Sequence, residues 1–200
     1  MRLTRRHYLA ALPALGAAGL GGGFLYMLRH ATQGTFDPKA VRNPRLGQAV
    51  PAFSPLPALP EQPTPCPGLS WQDFHTLTQP VLLLIWASWC LPCLEEIPFL
   101  RQHASGETTT ASPLALWGVC YKDTPSQAAH WLEQAHHPFS RLGMDYDGQC
   151  AIEWGVTGVP ESFLILPHPL TGSRIVWHGT GSLTEALYRE QIQPFLRGAL

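Results

Sequence analysis

The sequence predicts an α/β domain with a mostly parallel central sheet, one antiparallel hairpin and flanking helices, carried behind an N-terminal transmembrane helix. Three observations carry this reading. Two continuous apolar runs, 81–86 and 114–121, have the composition of strands covered on both faces. Segments with helical spacing follow both, and alternation of strand and helix implies a mostly parallel sheet with helices on both faces. Two later apolar runs, 162–166 and 174–178, are joined by a turn containing Thr171-Gly172 and read as a hairpin. With 200 residues, 45% of them hydrophobic and seven Trp, the chain can bury a substantial core, which excludes wholesale disorder. Its formal net charge of -1 removes the broad electrostatic attraction that nucleic-acid binding requires.

The elements follow in chain order. Residues 8–28 carry no charge, and as a helix at about 1.5 Å per residue they would span about 31 Å of hydrocarbon. Arg2, Arg5 and Arg6 precede the run, so the positive-inside bias leaves everything after Arg29 on the far, oxidising side of a bacterial inner membrane. A cleaved export signal is the competing reading, because Thr4-Arg5-Arg6-His7-Tyr8-Leu9 looks like a twin-arginine sequence and Gly16, Gly19 and Gly21 to Gly23 weaken the apolar run. Residues 1–30 are therefore assigned as anchor or signal. Residues 31–67 are rich in Pro and read as an extended tether, partly packed on the domain through Val50, Phe53, Leu56 and Leu59. The folded domain is expected over 68–200. Within it a helix is predicted over 92–103, and Thr124-Pro125 supplies an N-cap and first position for a second helix carrying Ala128, Trp131, Leu132 and Ala135. Ser182 with Glu185 has the pattern of a capping box for a last helix, whose final turn Pro194 should disturb.

Cys90 and Cys93 stand where the first strand gives way to a helix. Unpaired N–H groups and the dipole at a helix N-terminus favour a thiolate, so Cys90 is expected to attack and Cys93, three residues on along the same face, to resolve. Half of a zinc site would need two further ligands at finger-like spacing. Cys66, Cys120 and Cys150 are isolated, and none of the nine His makes a suitable pair with them, so no metal is expected. Cys120 lies in an apolar strand and reads as packing, while Cys66 and Cys150 could pair with each other. Trp89 is expected to shield the disulfide, and Trp86 to belong to the core.

Three segments carry a resemblance: Ala87-Ser88-Trp89-Cys90-Leu91-Pro92-Cys93, Tyr121-Lys122-Asp123, and Gly155-Val156-Thr157-Gly158-Val159-Pro160-Glu161-Ser162-Phe163-Leu164-Ile165. Together they resemble the thioredoxin superfamily and, within it, the CcmG/DsbE family of membrane-anchored thiol:disulfide oxidoreductases of cytochrome c maturation. The resemblance implies a thioredoxin-like fold and a periplasmic disulfide reductase without a cofactor, since two thiols carry both electrons. Its implied partners are an apocytochrome c or other maturation proteins, and a thiol-reducing donor in the inner membrane. It implies that Cys90 and Cys93 form the redox pair and that Pro160 is a cis-proline facing them, with the Val159 backbone open to an extended substrate peptide. Glu96 and Glu161 match acidic positions of the family. Thioredoxins place an Asp six residues before the first Cys, whereas this chain has Leu84, so the proton from Cys93 needs another acceptor. Glu161 is the first candidate and Glu96 the second. The segment 139–154 matches the family's insert and is expected to shape partner choice. A general exchanger for exported proteins and a non-enzymatic apocytochrome-binding module remain as alternatives.

Overall fold

The computed structural model describes residues 5–32, 43–60, 66–104 and 114–198, and the chain divides into two units at Val41/Arg42. The first unit holds a helix, α1 (Arg5–Thr32), which includes the uncharged run 8–28. Its glycines at 16, 19 and 21–23 dilute its apolar character, and among the described residues no helix is long and apolar enough to cross a membrane. Arg2 and Thr4 of the basic flank lie outside the described residues, as do 33–42 and 61–65 of the tether.

The second unit opens with a strap, residues 43–60, and a 3₁₀ helix, Trp71–Thr76. Then follow β1 (Val81–Trp86), α2 (Leu91–Ala104), β2 (Ala115–Tyr121), α3 (Pro125–Ala135), β3 (Arg141–Asp145), α4 (Gln149–Glu153), β4 (Glu161–His168) and β5 (Gly172–Thr180). A broken C-terminal helix closes the unit: α5 (Glu185–Leu187), a π-helical turn (Tyr188–Ile192) and α6 (Gln193–Gly198). The sheet order is β3-β2-β1-β4-β5. β1 and β2, and β2 and β3, run parallel, while β4 is antiparallel to both β1 and β5. The sheet is thus mixed rather than mostly parallel.

The antiparallel pairing of β4 with β1 makes the sheet mixed, while β3 is a further parallel strand that the sequence did not reveal. Arg141-Leu142-Gly143-Met144-Asp145 lacks β-branched residues and carries a central glycine, so nothing local marks it as a strand. Its outer edge is instead satisfied by the strap and the chain before the 3₁₀ helix, where Pro57 and Pro67 carbonyls accept from the Met144 and Leu142 amides at 2.9 Å. A Cβ on Gly143 would come within 2.5 Å of Leu56 Cβ, so only glycine admits this close passage.

Alternation along β1 separates two cores. Leu82, Leu84 and Trp86 face α2, α3 and the C-terminal helix through Ile97, Leu100, Trp131, Leu132 and Tyr188. Val81, Leu83 and Ile85 face Phe74, Val50, Leu56 and Trp154. The second face is therefore covered by the strap, the 3₁₀ helix and α4, not by long helices. Phe74, with no exposed surface, closes that core edge-on to Trp117 with ring centroids 4.9 Å apart; burying one such side chain stabilises the fold by about 1.5–3 kcal/mol.

The helix ends follow local chemistry. Thr124 caps α3 by accepting from the Gln127 amide, with Pro125 in the first turn. The last helix is capped by Thr184, which accepts from the Leu187 amide, and not by Ser182, whose hydroxyl donates to the Pro92 carbonyl at 3.2 Å. Pro194 sits just after the π-helical turn, where the Gln193 amide reaches back to the Tyr188 carbonyl.

Candidate active site

β1 delivers the chain to a tight turn in which the Cys90 amide donates to the Ala87 carbonyl at 3.1 Å. Parallel pairing of Trp86 with Cys120 brings the end of β2 alongside, and Asp123 holds the turn from there. Its carboxylate accepts from the Ser88 amide at 2.6 Å, the Ser88 hydroxyl at 3.0 Å and the Thr124 amide at 2.8 Å. Asp123 thus positions the turn that carries the cysteines, a role that its place in the Tyr121-Lys122-Asp123 motif does not disclose.

Cys90 and Cys93 are joined as a disulfide across the first turn of α2, with Cα atoms 5.4 Å apart. Cys93 is fully buried and Cys90 nearly so, while Trp89 and Leu91 around them are 60% and 65% exposed. The Cys93 amide donates to Cys90 Sγ at 3.2 Å. A backbone N–H aimed at that sulfur, added to the positive end of the helix, favours negative charge on Cys90 over Cys93.

The Val159-Pro160 peptide is cis. It lies one residue before Glu161, which pairs with Ile85 in β1, so β4 starts beside the strand that leads into the disulfide. The Pro160 carbonyl is occupied by the Gly181 amide at 2.9 Å. Val159 is half-buried and touches both cores, and Gly158 before it is exposed.

The two acidic candidates occupy opposite faces of the sheet. Glu161 shares the parity of Phe163 and Ile165, which belong to the strap-side core, whereas the disulfide belongs to the core under α2 and α3. Glu161 is also saturated. One oxygen accepts from the Thr157 amide at 2.7 Å, the Thr157 hydroxyl at 2.6 Å and the Gly158 amide at 3.1 Å, and the other meets His178 Nε2 at 2.8 Å. Burial pushes its pKa up, but the His178 and Thr157 contacts outweigh this and hold the carboxyl below its ordinary range. The raised pKa expected of Glu161 as first proton acceptor is therefore reversed.

Glu96 shows the opposite balance. It is one helical turn beyond Cys93, almost wholly buried, and burial pushes its pKa from 4.5 to about 7, only partly countered by the Leu183 amide. That amide donates to one oxygen at 2.7 Å, and the other oxygen has no protein partner. A buried carboxyl titrating near neutrality, on the face and helix of the resolving cysteine, can take up a proton and give it back. Leu183 contributes through its backbone, so no side-chain pattern could have revealed it.

Of the remaining cysteines, Cys120 and Cys150 are buried thiols, so the pairing of Cys150 with Cys66 is not formed. Burial raises the pKa of both Cys120 and Cys150. Trp86 stacks on Trp131 at 4.2 Å in the core. Among the described residues no group of three or more His, Cys, Asp or Glu is placed to hold a metal ion.

No family model matches the chain. It is 32% identical over 195 residues to the thiol:disulfide interchange protein HelX of Rhodobacter capsulatus, covering 95% of this chain and 96% of that one. It is 30% identical over 185 residues to the thiol:disulfide interchange protein DsbE of Escherichia coli K12, covering 92% and 90%. A crystal structure described as a thiol:disulfide interchange protein DsbE from Chlorobium tepidum superposes with a TM-score of 0.56 at 26% identity, over 72% of this chain and 93% of that one.

Proposed function

The chain belongs to the DsbE family of thiol:disulfide interchange proteins and is a thiol:disulfide oxidoreductase of thioredoxin-like fold, and from that premise we propose that it reduces the disulfide of an apocytochrome c, or of a maturation partner, before haem attachment. The observation that carries the reading is the Cys90–Cys93 pair at the start of α2, with a carboxyl titrating near neutrality one turn beyond it. The resemblance of the 87–93 and 155–165 segments to cytochrome c maturation reductases supports the choice of substrate.

The chemistry balances without a cofactor. In the reduced protein the Cys90 thiolate attacks one sulfur of the substrate disulfide, forming a mixed disulfide and expelling a substrate thiolate. Cys93 passes its proton to Glu96 and attacks Cys90 Sγ, forming the protein disulfide and releasing the second substrate thiolate. Glu96 then returns the proton to solvent or to a product thiolate. The substrate gains two electrons, and a dithiol donor must restore the pair. Val159 offers its backbone to the extended substrate, and Trp89 and Leu91 give the apolar surround. Residues 1–30, with a basic flank before an uncharged run, deliver the domain to the outer face of the inner membrane, where such substrates stand. Fractionation with N-terminal sequencing checks that delivery.

The decisive experiment is a trap. Cys93→Ala should accumulate a covalent adduct through Cys90, and mass spectrometry under non-reducing conditions should identify a cysteine of a Cys-x-x-Cys-His segment in an apocytochrome c. A broad spread of unrelated exported proteins would make the chain a general exchanger, and absence of any adduct would remove Cys90 as the attacking group.

A further inference from the structure

The substrate-docking loop, 156–160, is fastened from inside and from outside. The inner fastening is Glu161, which grips the Thr157 and Gly158 amides and is itself held by His178. The outer fastening comes from the strap. Asn43 is polar yet 95% buried, and its Nδ2 donates to the Trp154 carbonyl at 2.9 Å and the Gly155 carbonyl at 3.2 Å. Its Oδ1 accepts from the Arg45 amide at 2.8 Å. Arg45 Nε donates to the Glu153 carbonyl at 2.7 Å, and its guanidinium lies 3.6 Å from the Glu153 carboxylate. Three successive carbonyls at the end of α4 are thus capped by residues over one hundred positions upstream.

That end needs outside support. α4 has five residues, too few to be stable alone, and Gly155 leaves it at φ 68° with its Cα facing the Pro44 ring, which an added Cβ would meet at 3.3 Å. From Gly155 the chain enters the docking loop directly. The strap also reaches the inner fastening: the Gly47 amide donates to the Ile175 carbonyl at 2.8 Å and the Ile175 amide to the Gln48 carbonyl at 3.0 Å. These bonds add an edge to β5, the strand that carries His178 to Glu161.

We propose that Asn43 and Arg45 are positioning residues for substrate docking: by capping the carbonyls of residues 153–155 they set where the 156–160 loop presents the Val159 backbone to a bound peptide. The proposal rests on the reading of that loop as the docking site. The side-chain hydrogen bonds of both residues run to residues 153–155 and within the strap, not to α2, so the reactivity of Cys90 should not depend on them.

The test uses the full-length reduced protein in single turnover against two oxidants, a peptide with a disulfide-closed Cys-x-x-Cys-His segment and 5,5'-dithiobis(2-nitrobenzoate), which has no peptide backbone to pair with Val159. Asn43→Ala and Arg45→Ala should raise the half-saturating peptide concentration by about tenfold, the cost of misplacing one hydrogen-bonded contact. The limiting rate, the rate with the small disulfide and the alkylation rate of Cys90 should stay as in the parent. Should Asn43→Ala fail to fold, Arg45→Ala decides alone, since its side chain is one-third exposed. Unchanged peptide saturation in a folded variant, or an equal loss with both oxidants, overturns the proposal. A Val159→Pro control separates the causes. If it raises the half-saturating concentration while the strap variants do not, only the strap's role fails; if it too is silent, the docking reading fails with it.

Discussion

Removing the buried charge at Glu96 should stabilise the protein in alkaline solution while disabling it. The carboxyl has its pKa raised from 4.5 to about 7 by burial, and a raised folded value means that the unfolded chain releases this proton first. Its contribution is fully present below the unfolded value and is lost as pH rises through about 7. At ~1.4 kcal/mol per tenfold in acidity, the wild type gives up roughly 3 kcal/mol between pH 4 and 8 at this one group. Glu96→Gln has no proton to lose. It keeps an acceptor for the Leu183 amide, but the bond to a neutral amide is weaker by about 1 kcal/mol. The oxidised variant should therefore be about 2 kcal/mol more stable than wild type at pH 8, a Tm gain of ~4–8 °C for a domain of this size. At pH 4 the order should close or invert. Thermal denaturation of both oxidised proteins across pH 4–8 reads this directly. Parallel curves would mean that Glu96 is already ionised at low pH and would refute the burial argument. The same variant should resolve the mixed disulfide ~10²-fold or more slowly, with a flattened pH profile, as loss of a general base does.

Glu161→Gln should act with the opposite sign, because its carboxylate is held below its ordinary range: about 2 kcal/mol is lost at neutral pH, and the difference fades as acid protonates the wild type. Urea denaturation at pH 7 and at pH 3 checks it, and a stabilised variant at pH 7 would contradict the hydrogen-bond assignment. In the reduced protein Cys90 should be alkylated faster than Cys93 at pH 7, with a thiol pKa below about 8.5; faster labelling of Cys93, read by peptide mass spectrometry, would reverse the two roles. Asp123→Ala should free the Ser88 turn and cost about 2 kcal/mol, with a slower reaction at Cys90, and unchanged rates would show that the turn needs no support from β2.

What the sequence made legible were features that are local in the chain. Cys90 and Cys93 are three residues apart at a strand-to-helix boundary, so their spacing carried their placement, whereas Val159-Pro160 was placed by the family resemblance of its contiguous motif. The acidity of Glu96 was not legible, because it arises from burial, and its hydrogen-bond partner, the Leu183 amide, is 87 positions away. β3 escaped for a related reason. Its five residues have no strand pattern of their own and extend because β2, Pro57 and Pro67 supply partners for their backbone. The strap was legible in part: its prolines suggest a tether, and its apolar Val50 and Leu56, expected to pack on the domain, complete the second core.

The ordering of the two carboxylates failed on a single strand step. Glu161 follows Pro160 directly, and nearness in sequence to a motif that faces the disulfide suggested nearness in space. A strand turns successive side chains to opposite faces, so the residue after the proline points away from the redox pair, toward Phe163, His178 and the strap. That step divides the chemistry. On the face of α2 lie the disulfide and a carboxyl able to exchange a proton near neutrality; on the face of the strap lies a carboxylate, its pKa held below the ordinary range, that grips backbone amides. A carboxylate that stays charged at neutral pH is suited to holding a loop in one place, and a carboxyl near its midpoint is suited to moving a proton. Neither environment could serve the other's purpose, because the hydrogen bonds that fix Glu161 are the same ones that keep it from accepting a proton.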